Sequence, residues 1–163
     1  MNLQTLPNSA RIWVYLSNRA FIDHEIEWLT ARLSEITSNW KAHGTPLKAG
    51  FAIDFKQLIV LAVDESHEPA SGCSIDSVVH EIQAIEKHLG VDLFSRTDVP
   101  ILKDHQIELL GRQALKDRIL NGTLSEESPM LDLTITDLGT WRHAHIKTLN
   151  QSWAVRWLPK LQS

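Results

Sequence analysis

The chain has few of the residues that would make its function easy to read. It holds one cysteine, Cys73, so no internal disulfide can form. A lone thiol suits a reducing compartment, and the cytoplasm is the expected location. No apolar run approaches membrane-spanning length, so no membrane partner is expected. The start, Met1-Asn2-Leu3-Gln4-Thr5-Leu6-Pro7, lacks the charged and apolar regions of a signal peptide. None of the seven glycines, at 44, 50, 72, 90, 111, 122 and 139, is followed by lysine. The phosphate-cradling loop Gly-x-x-x-x-Gly-Lys-Ser/Thr is therefore absent. Between Lys56 and Lys87 there is no lysine or arginine, and from Leu138 to Ser163 there is no acid.

A sequence of 163 residues, 43% hydrophobic and 22% charged, suits one globular domain. The net charge of −4 is too mild to demand a charged partner. Seven acids lie between Asp64 and Asp92, and four basic residues lie in the tail: Arg142, Lys147, Arg156 and Lys160. That asymmetry marks either an interaction face or two solvated surfaces that differ. Six tryptophans against one tyrosine point to aromatic cores.

Periodicity supplies the fold. Arg11 to Leu16 reads as a strand, and residues 23–42 as a helix with Ile26, Leu29, Leu33, Ile36 and Trp40 on one face. Asp23 is the expected N-cap and Gly44 the expected terminator. Leu47 to Phe55 and the all-apolar Leu58 to Val63 read as strands joined by a tight turn at 54–57. A second helix is expected over 74–89, closed by Gly90. Further strands are expected at 91–94, at 107–109, at 131–135 and at 151–158, with Trp153 and Trp157 on one face of the last. A helix ending near Leu120 is stopped by Asn121-Gly122. The expected fold is α+β: an antiparallel-rich sheet with helices on one face, in ferredoxin-like βαββαβ order. Residues 1–163 form one domain in this reading, with a βαββα core at 11–95 and an extension at 96–163 packed on it.

The site is expected where the buried strand ends. Asp64-Glu65 closes that strand, and Ala70-Ser71-Gly72-Cys73-Ser74-Ile75-Asp76 opens the second helix. The candidate ligand-binding residues are Asp64, Glu65, Ser71, Gly72, Cys73, Ser74 and Asp76. Helix N–H groups and the dipole favour a thiolate at Cys73, with His67 or His80 as candidate bases. Four carboxylates, Asp64, Glu65, Glu68 and Asp76, oppose it. The plainer reading has Gly72 and a buried Cys73 filling a tight junction, with Ser71 or Ser74 capping. Asp64, Glu65 and Asp76 are also hard-cation ligands in type, but loop carboxylates that cap a helix look the same, and no metal or other cofactor is expected. His143 and His145 share a face only in a strand.

Together with Val63-Asp64-Glu65, Ser152-Trp153 and Arg156-Trp157-Leu158, this motif resembles a family of small uncharacterised bacterial proteins often labelled "ABC transporter ATPase". The resemblance covers nearly the whole sequence, and Ser71 to Asp76 is its most specific part. It implies no catalytic residue. Leu58 to Glu65 has the form of a Walker B strand, and Ser71-Gly72 echoes the transporter signature. That signature precedes the Walker B strand in transporter ATPases, whereas here it follows. The expected function is a binding or interaction module for a small molecule or protein, with a site at 64–76. The alternatives are a thiol- or carboxylate-dependent enzyme using Cys73, and nucleic-acid binding by the basic, Trp-rich tail. The net charge speaks against the last. Because a nucleotide triphosphate needs the missing glycine-lysine loop, titration calorimetry with Mg-ATP should show no saturable binding at micromolar concentration.

Overall fold

The computed structural model describes residues 2–160, which form an α+β fold. They fall into two compact units, one within Met1–Phe94 plus Ile135–His143, the other within Ser95–Thr134 plus Ala144–Ser163. No described helix is long and apolar enough to cross a membrane.

The first unit is built on three antiparallel strands: β1 (Arg11–Leu16), β4 (Lys48–Asp54) and β5 (Leu58–Asp64), in the order β1-β5-β4. Two short strands, β2 (Lys41–Ala42) and β3 (Thr45–Pro46), pair with each other. All seven residues of β5 are buried. Such a strand needs apolar side chains on both faces and neighbours on both edges, which is what its continuous apolar run provides. Its odd-numbered side chains, Ile59, Leu61 and Val63, share one core with Tyr15, Ala49 and the helices α1 (Asp23–Asn39) and α2 (Gly72–Leu89). The α1 stripe contributes Leu29, Leu33 and Ile36, and α2 contributes Val78, Ile82 and Ile85. Both helices thus cover one face of the sheet. Leu58, Val60 and Ala62 on the other face are buried too.

The turn between β4 and β5 is tight, as its sequence predicts. Phe55 and Lys56 both adopt positive φ, at 55° and 53°. This mirror-image turn matches the twist of the flanking strands. Its exit docks on the end of β1, where Gln57 Nε2 donates to the Ser17 carbonyl at 2.9 Å.

The expected closing strand at 91–94 does not form. Asn18 donates its N–H to the Asp92 carbonyl at 3.1 Å, and Leu93 N–H donates to Glu86 Oε2 at 2.7 Å. These bonds use the backbone groups a ladder would need. The outer edge of β1 is instead met by a distant segment: Ile12 N–H donates to the Thr136 carbonyl at 2.9 Å, beside a bridge between Arg11 and Asp137. The helix α4 (Leu138–Ala144) then starts against the segment before β1, where Leu138 N–H donates to the Ala10 carbonyl and Gly139 N–H to the Asn8 carbonyl, both at 2.8 Å. A Cβ at Gly139 would lie 2.9 Å from the Asn8 Cβ, so this approach requires glycine. Residues 135–143 therefore belong with the first unit although the sequence places them in the extension.

Helix α1 starts at Asp23 itself, so its cap lies one residue before the expected one. Ile22 is the N-cap and has no side-chain acceptor, so only half of a capping box forms: its N–H donates to Glu25 Oε1 at 3.0 Å. Trp40, not Gly44, ends the helix, and Gly44 turns between β2 and β3 with φ at 79°.

The second unit is a four-stranded antiparallel sheet in the order β7-β6-β8-β9, made of β6 (Val99–Lys103), β7 (Gln106–Leu110), β8 (Pro129–Leu131) and β9 (Ile146–Thr148). Helix α3 (Arg112–Leu120) adds Leu115 and Ile119 to its core. The strand expected at 131–135 ends at Leu131. The buried Asp132 carboxylate turns the backbone by accepting from Thr134 N–H at 2.9 Å, and it pairs with Lys147 at 2.5 Å. Burial pushes this carboxyl up, but those bonds outweigh it and its pKa is lowered.

The tail is not a strand. Leu149–Gln151 and Trp153–Trp157 are 3-10 turns joined by Ser152, whose hydroxyl donates to the Leu149 carbonyl at 2.8 Å and accepts from Ala154 N–H at 3.1 Å. Trp153 and Trp157 meet edge to face with centroids 4.9 Å apart. Both are half-buried against the second unit's core.

One ion pair ties the first unit's loops together. Arg19 forks onto Glu25 with bonds of 2.8 and 2.9 Å and also donates to the Leu89 carbonyl at the end of α2. The Arg19 hydrogen bonds and the Ile22 N–H hold the Glu25 carboxyl down, from 4.5 to about 2. A depressed carboxyl stabilises the fold above its unfolded pKa, and that contribution fades as pH falls from 4.5 towards 2. Glu25→Gln should cost about 2 kcal/mol at neutral pH. In thermal melts the gap between parent and variant should close as the pH is lowered through this window.

Candidate functional site

The connection from β5 to α2 is held by its own side chains. Asp64 is buried, and its Oδ1 accepts from the Ser66 hydroxyl at 2.7 Å and from Ser66 N–H at 3.0 Å. These two bonds lower its pKa, with Lys48 and His67 adding to the effect. Lys48 stands opposite Asp64 in the ladder, its Nζ 3.9 Å from the carboxylate. Glu65 accepts from Ala70 N–H at 2.9 Å. Ser71 is the N-cap of α2. Its hydroxyl accepts from Ser74 N–H at 3.2 Å, and its N–H donates to Ser74 Oγ at 2.8 Å. This is a capping box with serine in both places.

The three carboxylates that are cation ligands in type therefore do not converge. Asp64 is engaged by Ser66, Glu65 closes the loop, and Asp76 points from the exposed first turn of α2. Among the described residues no group of three acids, histidines or cysteines is placed to hold a metal ion. His143 lies in the last turn of α4 and His145 just beyond it, so the strand spacing that would pair them is absent.

Cys73 is exposed, which corrects the expectation of a buried thiol. The junction is not tight. A Cβ on Gly72 would have no neighbour within 4 Å. The cause is the capping box: by turning Ser71 and Ser74 inward it rotates positions 72, 73 and 76 outward. Among the described residues no hydrogen bond joins Cys73 to His67 or His80. His80 is exposed and follows Cys73 by seven residues on one helix, about 10 Å along its axis, which is beyond direct proton transfer. His67 is exposed in the loop between β5 and α2.

The motif's structural work is done by Ser74. Its backbone carbonyl accepts from Trp40 Nε1 at 2.8 Å. This bond joins the end of α1 to the start of α2, and Trp40 also packs against Trp13 with centroids 5.4 Å apart. The two helices run antiparallel and leave a cleft of about 250 Å³ on their outer side. Ile36, Trp40 and Val78 form its apolar floor. Its rim holds Arg32, Lys41, Glu35 and Glu81 with Asn39 and Ser77. Arg32 bridges the helices by donating to Glu81 on α2, and it also donates to Glu35 on its own helix at 3.0 Å. Ser77 stands one helical turn above Cys73 on the same face.

Sequence reasoning missed this cleft. Trp40 reads as part of the α1 core stripe, and Arg32, Glu35 and Glu81 carry no signal of their own in the sequence. Only the α1–α2 pairing brings them together. None of the site residues singled out in sequence lines this cleft. Ser71 and Ser74 cap α2, and the Ser74 carbonyl holds Trp40. Gly72, Cys73 and Asp76 are exposed at the start of α2, and Asp64 and Glu65 hold the loop before it.

An exposed thiol with no packing role predicts a mild variant. Cys73→Ser should stay within about 0.5 kcal/mol of the parent in denaturant melts. Cys73 should react with Ellman's reagent in the native state as completely as in denaturant. No protein-family model, curated protein or solved structure matches this sequence.

Proposed function

We propose that this protein is a binding module whose ligand seat is the α1–α2 cleft, with the exposed first turn of α2 as its shoulder. The observation that carries this reading is the cleft's make-up: an apolar floor and a rim of both charges, with Arg32 paired to Glu81 between the two helices. Such a seat suits a small polar molecule or a short protein segment with an apolar body. The motif at 70–76 serves it by capping α2 and anchoring Trp40. The protein works in the cytoplasm in this proposal, as its single free thiol suits.

The label carried by the family that the motif resembles does not describe its chemistry in this reading. The acid at the end of β5 is bonded to Ser66, and no glycine-lysine loop precedes it. Half-burial of Trp153 and Trp157 leaves little face for base stacking, which argues against nucleic acid. Thiol chemistry at Cys73 is the second reading, favoured by the exposure of that thiol in the first turn of α2.

A thermal-shift screen against amino acids, nucleotides, metal ions and common metabolites tests both. A ligand at a hundred times its Kd adds about 2.7 kcal/mol to stability. Ser77→Trp places an indole in the cleft from an exposed position. The stabilising ligand should lose its effect in Ser77→Trp and keep it in Cys73→Ser. The reverse pattern would transfer the site to the thiol.

A further inference from the structure

Asn121 is the only asparagine followed by glycine in the sequence. It is exposed, and it is the C-cap of α3. Asparagine before glycine is the most labile of peptide pairs, because glycine has no Cβ to hinder attack by its own nitrogen. The Gly122 nitrogen, once deprotonated, attacks the Asn121 Cγ. The bond from Cγ to Nδ2 breaks, and that nitrogen leaves as ammonia with the proton. Water then opens the cyclic imide at either carbonyl, giving aspartate or isoaspartate.

The native geometry opposes each part of this reaction. Asn121 has φ −84° and ψ 0°. At that ψ its own nitrogen, not its Cβ, eclipses the Gly122 nitrogen, so the five-membered ring cannot close without rotation. Gly122 N–H donates to the Ile119 carbonyl at 3.2 Å, and this bond must break for the nitrogen to act. The Asn121 amide is held as well. Its Oδ1 accepts from Thr123 N–H at 3.0 Å and from the Thr123 hydroxyl at 2.7 Å. Thr123 Oγ1 is itself fixed by Arg118 Nε at 2.7 Å, and Arg118 pairs with Glu108 at 2.6 Å.

We propose that Asn121-Gly122 is a latent deamidation site locked by the last turn of α3, with Thr123 as the lock. Reaction then requires local opening, so its rate reports the stability of this turn rather than the accessibility of the residue. The two products differ in consequence. Aspartate keeps an acceptor for Thr123 and adds a charge near Arg118. Isoaspartate puts an extra methylene into the backbone and cannot hold the turn in which Leu124 N–H donates to the Arg118 carbonyl at 2.9 Å. The isoaspartyl form is thereby a substrate for carboxyl methyl transfer of the kind that repairs aged protein.

The test follows deamidation by peptide mass mapping, and isoaspartate by enzymatic carboxyl methylation, in full-length protein at neutral pH. The folded parent should react at least about tenfold more slowly at Asn121 than the same protein in guanidinium. Thr123→Val, an exposed change, should speed the folded reaction several-fold while leaving the rate in guanidinium unchanged. Equal rates in the folded and denatured parent would overturn the proposal. So would a folded Thr123→Val protein that reacts no faster than the parent, or modification that maps to another asparagine.

Discussion

Complete burial of β5 is the constraint on which the first unit depends. Seven consecutive residues are withdrawn from water, including the carboxylate that ends the strand. A buried backbone must find partners for every N–H and C=O, so β5 takes β1 on one edge and β4 on the other. Its odd-numbered side chains in turn require an apolar cover, which α1 and α2 provide. Asp64 can end such a strand only because Ser66 supplies two donors and Lys48 a charge. No buried side-chain nitrogen or oxygen among the described residues lacks a partner.

That arrangement explains the motif at the start of α2. The helix that follows the buried strand needs a cap for its first N–H groups, and Ser71 with Ser74 supplies it seven residues after Asp64. The same turn presents the Ser74 carbonyl to Trp40, which couples the helix starting there to the helix ending opposite. A hydrogen-bonded indole both fills space and sets a direction. The α1–α2 cleft has this Trp40 in its floor, and the Arg32–Glu81 pair joins its two sides. Cys73, conspicuous in the sequence, is left outside this network.

The two units are stabilised in different ways. The first rests on a long buried strand and two amphipathic helices. The second has shorter strands and a core completed by half-buried tryptophans from 3-10 turns. Its polar anchors, Asp132 with Lys147 and Arg118 with Glu108, lie close to turns. Turn chemistry there decides where strands stop, and the Asn121 cap belongs to the same pattern.

Sequence by itself determined what repeats along the backbone. The all-apolar run of β5, the stripes of α1 and α2, the tight turn at 55–56 and the glycine stop at Gly90 are local signals with local causes. Tertiary structure decided wherever one residue's partner lies far away. Asn18 and Glu86 took the backbone groups that would have made 91–94 a strand, and residue 136 took its place at the β1 edge. Trp153 and Trp157 fit a two-residue period only by ignoring their spacing of four, which a helical turn satisfies equally. Exposure of Cys73 followed from which way Ser71 and Ser74 turned, and the cleft from which faces of two helices met. Composition and periodicity report how much of a segment is buried. They do not report against what, because that depends on contacts between residues remote in sequence.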